Sequence, residues 1–343
     1  MALLPWSLAP TESADAIRTG SRDLFRAAAQ NETSPKEAWR SAAIVWCCIA
    51  LFAGIDAIWL AVSSLQFHPF NWPILASFTA VAIAGQAVAL RLARRAEEGR
   101  PDTAAHVLAR KFSLLGQGGL MLLLLVAGFI VFSYLATAAS PRLHDALMAD
   151  LDSRLGFDWI FFLAIANAEP RVAAALSFSY HSAGVTLLAA VAWLAVSEQE
   201  VRLRELLAAL SLTFAGLAIG MVAVPTAGAF AHFTPPPPLF SNFPDAGHMW
   251  PFYRTFAALR DGSLRVIDFT AADGIVSFPS FHAALGLVVL WSLRGNRLLF
   301  WPALLLTAVM LVAVLPVGGH HLCELLGGVL IGFVAIGLVR RLC

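Results

Sequence analysis

The stretch "GGHHLCELLGG", which begins at Gly318, sets two histidines and an acid at the start of an otherwise apolar segment. His320 and Glu324 are four residues apart, so on a helix their side chains occupy one face. A carboxylate there can accept a hydrogen bond from the imidazole and decide which ring nitrogen stays free. Gly318 and Gly319 leave the helix N-terminus open, with backbone N–H groups placed to face an anion. A second stretch, "GIVSFPSFHAALGLVVLW" from Gly274, puts a Pro-Ser-x-His sequence at the opening of another apolar run. Ser277 or Ser280 is available as its N-cap, Pro279 is tolerable in the first turn, and His282 falls within the first turns.

These residues describe a chemistry. A neutral histidine oriented by a carboxylate is a competent nucleophile toward phosphorus. A second histidine can protonate the departing oxygen and then deprotonate the incoming acceptor. Cationic groups are needed for the charge on the phosphoryl oxygens. The connection 225–275 supplies Arg254, Arg260 and Arg265; Arg260, in "ALRDGS", is the first choice among them. Ser280, His321, Tyr180 and His181 are candidates for lining the pocket. A metal reading competes, because His320, Cys323 and Glu324 fall on adjoining helix faces and zinc favours such ligands. No second ligand pair stands at helical spacing elsewhere, so no metal and no cofactor is assigned. Either histidine alone would also fit a wetted helix end or a structural polar group in a bundle. Their pairing, and the functional bias of ionisable groups in membrane spans, favours chemistry. Asp56 and Gln86, in the first two apolar runs, are expected to pair with each other and carry no chemistry.

The elements that must position these residues are membrane helices. The chain of 343 residues is 59% hydrophobic and 13% charged, with a mean hydropathy of +0.74, whereas a soluble domain carries about 25% charged residues. Several windows of about 20 residues are almost free of charge, the length that crosses a hydrocarbon core. Spans are expected at roughly 41–65, 72–92, 113–138, 172–196, 203–224, 276–294, 297–316 and 320–339, making an all-α integral membrane protein of about eight transmembrane helices. Residues 139–171 are too charged and then too short to span, and read as an interfacial or re-entrant piece. An amphipathic helix is expected within 13–30. The run Pro235–Pro238 forbids α-helix there. The net charge of +1 and the lack of a basic stripe give no reason to expect nucleic acid. The four cysteines form no disulfide framework, and the N-terminus lacks the basic start and apolar run of a cleaved signal peptide.

Counting Lys and Arg on alternate sides of these spans gives an orientation. Seventeen of the 23 fall in 1–40, 91–112, 197–205, 294–297 and 340–343, and six in 139–171 and 225–275. Both termini are therefore expected in the cytoplasm, with His282 and His320 converging at the outer face. Arg in place of Lys, among many Ala and Leu, suggests a bacterial inner membrane with a periplasmic site.

The sequence "PSFH" at Pro279–His282, followed by "GHHLCELLG" at Gly319–Gly327, resembles the PAP2 phosphatase/phosphotransferase superfamily. Within it, the chain is similar to the inositol phosphorylceramide synthase-like branch, whose last motif reads roughly G-x-H-Y-x-x-D-x-x-x-G. The acidic stretch "DALMADLDSRLGFDW" at 145–159 resembles one preceding the core in that branch. The resemblance implies a six-helix catalytic core over 113–343, two accessory transmembrane helices and a cytoplasmic loop over 41–112, and a cytoplasmic segment at 1–40. It implies that His320 is the phosphohistidine nucleophile, Glu324 its orienting acid and His282 the acid/base. It also implies a membrane-embedded lipid phosphate as substrate, with water or an alcohol such as inositol as acceptor. Glu324 stands where the branch has Asp, and His321 where it has an aromatic. The Lys-x6-Arg-Pro motif of ordinary PAP2 phosphatases is absent. A metal-dependent membrane hydrolase and a non-catalytic lipid-binding or transport bundle are the competing readings.

Overall fold

The computed structural model describes residues 35–97, 103–140, 142–244 and 251–343; the amphipathic helix expected within 13–30 lies outside them. The chain is an all-α integral membrane protein. α1 (Pro35–Val62) and α2 (Asn71–Glu97) both pack on α3 (Thr103–Ala139). The expected re-entrant piece forms α4 (Asp145–Arg154) and α5 (Trp159–Asn167), and α5 meets α6 (Pro170–His181) at 110°. Local chemistry sets that reversal: the Asp158 carboxylate accepts from Phe161 N to start α5, and Glu169 caps α6 with Pro170 in its first turn. α7 (Ala183–Val196) and α8 (Glu200–Ala223) follow, then a short α9 (Ala229–Phe233). The proline run leads into a single 3-10 turn, Pro237–Phe240. α10 (Pro251–Asp261), α11 (Phe281–Ser292), α12 (Arg297–Ala313) and α13 (Leu322–Leu342) complete the order.

Five of the described helices are long and apolar enough to cross a membrane: α1, α2, α3, α8 and α13, with α5 and α6 making a sixth span if taken together. Three expected spans are instead shorter helices. The run 172–196 divides at Ser182, where Ser182 and Thr186 hydroxyls bond back to the Ser179 and Ser182 carbonyls, a habit that bends helices. The run 276–294 is helical only from Phe281, because the Ser280 amide donates out of the helix to the Glu324 carbonyl. The run 297–316 leaves the helix after Ala313.

Residues 313–321 are all buried although they are mostly non-helical. Irregular backbone at membrane depth survives only where protein satisfies its polar groups. Here the Trp159 indole donates to the Leu315 carbonyl (3.0 Å) and Phe230 N to the Gly319 carbonyl (3.2 Å). α8 runs through the centre, packed on α1, α3, α7, α11 and α13. A two-residue parallel pairing of β1 (Gln66–Phe67) with β2 (Val266–Ile267) ties the α1–α2 connection to the loop before α11.

The segment Phe278–Ser280 is seated by missing side chains. A Cβ on Gly220 of α8 would stand 2.3 Å from Pro279 Cδ, and one on Gly328 of α13 would stand 2.2 Å from the Ser280 carbonyl oxygen. Gly328→Ala is therefore expected to cost about 1–3 kcal/mol through overpacking, seen as a lower unfolding temperature in detergent. Gly337→Ala, with nothing within 4 Å of the added methyl, should be neutral or stabilising by up to about 1 kcal/mol. Equal behaviour of the two variants would contradict this packing.

Candidate active site

Glu324, in the first turn of α13, is fully buried. Its carboxylate accepts from Thr226 Oγ1 (2.5 Å), His321 N (3.0 Å) and His320 Nδ1 (3.0 Å). An ionised carboxylate only accepts, so the His320 proton sits on Nδ1 and Nε2 carries the lone pair. The i,i+4 spacing read from the sequence thus holds as a hydrogen bond, although His320 itself lies just before the helix.

Behind this pair stands a second layer of acids from α4. Asp152 accepts from Leu322 N (2.8 Å) and Cys323 N (2.9 Å), and Asp145 accepts from Ala227 N and Gly228 N. The expectation of an open helix N-terminus at Gly318–Gly319 is therefore corrected: its first amides are occupied by Asp152 and Glu324. His321 is corrected too. It lies fully buried outside the pocket, with Nδ1 3.3 Å from Asp152 and Nε2 3.8 Å from Asp145. Neither contact meets hydrogen-bond geometry, so the ring is held by proximity to two carboxylates.

His282 sits in the first turn of α11 with its ring stacked on Tyr180 (4.0 Å, 22°). A Cβ at Gly318 would lie 2.9 Å from the Tyr180 ring and 2.7 Å from the His320 ring. Glycine there lets Tyr180 approach both histidines. His282, His320 and Tyr180 line one cavity of about 990 Å³. That cavity is mainly apolar, not the polar chamber that the histidines alone suggest. Ser280 is fully buried with no hydrogen bond to its hydroxyl. His181 is exposed at the end of α6, its Nδ1 2.8 Å from the Ser177 carbonyl, and does not line the cavity.

The structure does not bring the three arginines to the histidines. Arg260 donates to the Ser140 carbonyl (2.6 Å) and lies over Phe256, Arg265 bonds the Gly262 carbonyl, and Arg254 is exposed. Their loop folds α10 against α3, which turns Arg260 toward the end of α3. The expected Asp56–Gln86 pair does not form either: Gln86 accepts from Ser113 Oγ and Gln117 Nε2 of α3. Among the described residues no group of three or more His, Cys, Asp or Glu could hold a metal ion. His320 Nδ1 and both Glu324 oxygens are already engaged in hydrogen bonds.

Asp145, Asp152 and Thr226 were given no role by the sequence. The two aspartates had a signal, because seven residues place them on one face of a helix. Thr226, an isolated threonine after "VP", had none. The model of the PAP2 superfamily matches residues 146–338, more than half of the chain, and takes in Asp152, Thr226, His282, His320 and Glu324. No curated protein and no solved structure matches.

Burial pushes the Asp152 carboxyl up, but the His321 ring and the N–H groups of Cys323 and Leu322 outweigh it and hold the group below its ordinary value. Asp145 is raised by burial, with the Glu324 charge adding to it. A carboxyl lowered by folding stabilises the fold above its unfolded value and loses that contribution as pH falls through the folded one. Asp152→Asn should therefore unfold at a lower temperature than the parent chain at neutral pH. The gap should close as pH drops below about 4; a gap constant across that range would contradict the assignment.

Proposed function

The chain belongs to the PAP2 superfamily, whose members are generally phosphatases and phosphotransferases, and on that premise we propose that it cleaves a lipid phosphoester through a phosphohistidine on His320. The observation that carries this reading is the 3.0 Å contact from His320 Nδ1 to Glu324, beside a cavity that His282 also lines. In the first step Nε2 of His320 attacks phosphorus and a P–N bond forms. The P–O bond to the lipid breaks, and protonated His282 gives its proton to the departing oxygen. In the second step neutral His282 takes a proton from water or an alcohol as that oxygen attacks phosphorus. The P–N bond breaks and His320 is regenerated. Glu324 keeps the proton on Nδ1 and stabilises the ring as it gains charge.

The phosphoryl oxygens need donors, and the arginines of 225–275 are turned elsewhere. The free amides of the first turn of α11, with the unpartnered Ser280 hydroxyl behind them, are the donors we assign. The basic-residue asymmetry supports an outer-face site with cytoplasmic termini, in keeping with a bacterial inner membrane. The likeness of the last motif to inositol phosphorylceramide synthase-like proteins favours an alcohol acceptor over water.

Labelled aryl phosphate distinguishes the two histidines. A good leaving group needs no proton, so His282→Ala should accumulate acid-labile, base-stable label on the protein, while His320→Ala should take none. With an alkyl phosphate, His282→Ala should slow turnover by roughly a hundred- to ten-thousand-fold. Label retained in His320→Ala would sink the nucleophile assignment. Turnover should survive chelator, and added inositol should divert product from inorganic phosphate to a phosphoinositol if transfer is the activity.

A further inference from the structure

We propose that α2, which lies outside the family-matched segment, forms with α3 and α7 a groove for the hydrocarbon tail of the substrate. The tail would lie there while the phosphate sits at His320. This rests on the phosphoester reading above and adds the place of the tail. The cavity of about 990 Å³ is at the upper end of the range for ligand pockets, about 300–1,000 Å³. Its polarity is one-sided. His282, His320, Tyr180 and Asp273 gather where the loop before α11 meets the histidines, and the lining beyond them is aliphatic, aromatic or glycine apart from Ser133. A cavity with one polar end fits an amphiphile with a charged head and a single long tail.

Length points the same way. Along α3 the lining runs from Ser133 to Phe112, about 32 Å of helix at 1.5 Å per residue. That is close to the full hydrocarbon thickness of about 30 Å, so the groove takes a tail that passes the bilayer midplane. It opens sideways: Phe78 and Val81 of α2 and Leu188 of α7 line it and are exposed. Its width is kept by glycine. Gly85 of α2, Gly119 of α3 and Gly184 of α7 all line it, and a Cβ on each would meet nothing within 4 Å. The α2 wall is also held in place. Gln86 is bonded to Ser113 and Gln117 of α3, and Asn71 bonds the Ile267 carbonyl (2.7 Å) and Phe269 N (2.9 Å).

The test uses the full chain in nanodiscs with alkylphosphonates, whose C–P bond resists cleavage, carrying a photoreactive diazirine at the chain end. An octadecyl probe should label α2 and α3 around Gly85 and Leu115–Gly119. An octyl probe should label near Phe252 and Ile275. Unlabelled octadecylphosphonate should compete with both, although nanodisc lipid is in excess. Gly85→Leu combined with Gly119→Leu should weaken deep labelling by about tenfold, the effect of forcing methylenes into occupied space. Phosphoenzyme formation from aryl phosphate is measured in parallel. If label forms on His320 while the two probes mark the same residues, or competition fails because bulk lipid fills the groove, the tail site is overturned and the phosphoester reading stands. If deep labelling is competed but His320 takes no phosphoryl group, the groove stands as a lipid site and the phosphoester reading falls.

Discussion

A carboxylate with no exposure must be surrounded by donors, and Glu324 imposes that condition on everything around it. Taking an ion out of water costs several kcal/mol unless hydrogen bonds replace its hydration. The replacements here come from three places: Thr226 just past α8, the backbone of His321, and the His320 ring. Meeting the condition fixes the end of α8, the loop 314–321 and the start of α13 against one another. The orientation of His320 is then a consequence of burial. The ring is the third donor the carboxylate needs, and a turn of the ring would leave a buried acceptor short.

The same logic governs the backbone that leads to the site. Two helices that each crossed the whole bilayer would need about 20 residues apiece. The chain instead uses 12 helical residues in α11 and 17 in α12, about 18 and 26 Å. A buried irregular segment after Ala313 then leads to His320. That segment is tolerated because Trp159, Phe230 and Glu324 answer its polar groups. Glycines at 220, 318 and 328 then let the "FPSFH" loop, Tyr180 and the start of α13 approach within distances that any Cβ would forbid.

What could be read from the sequence was local. The four-residue spacing of His320 and Glu324, the Pro-Ser-x-His opening and the apolar runs each rest on short-range periodicity. Contacts made across the chain were not legible. Thr226 lies 98 residues from Glu324, and no pattern around it marks a donor. The arginines were misplaced because the loop's position in the chain does not reveal that α10 folds onto α3. The open helix N-terminus was misread for a related reason. Two glycines before a helix leave its amides open only if no acid arrives from elsewhere, and Asp152 arrives from 170 residues away. The division of 172–196 at Ser182 was hidden because hydropathy averages over the serines and threonine whose hydroxyls turn back on the helix.

The residues at positions 321 and 324 are best understood together. Glutamate, one methylene longer than aspartate, lets α13 begin at Leu322 and still reach Thr226, the His321 amide and the His320 ring at once. It also brings a third buried carboxylate close to Asp145 and Asp152, which already face α13 from α4. Those two acids are answered chiefly by backbone amides, at Ala227 and Gly228 and at Leu322 and Cys323. Histidine keeps the flat ring, stands 5.9 Å from Phe233, and brings a ring nitrogen toward each aspartate. His321 is therefore part of the support for the acids and not of the pocket. The two residues divide the work: Glu324 steers the His320 ring, and His321 stands between the two aspartates that face the start of α13.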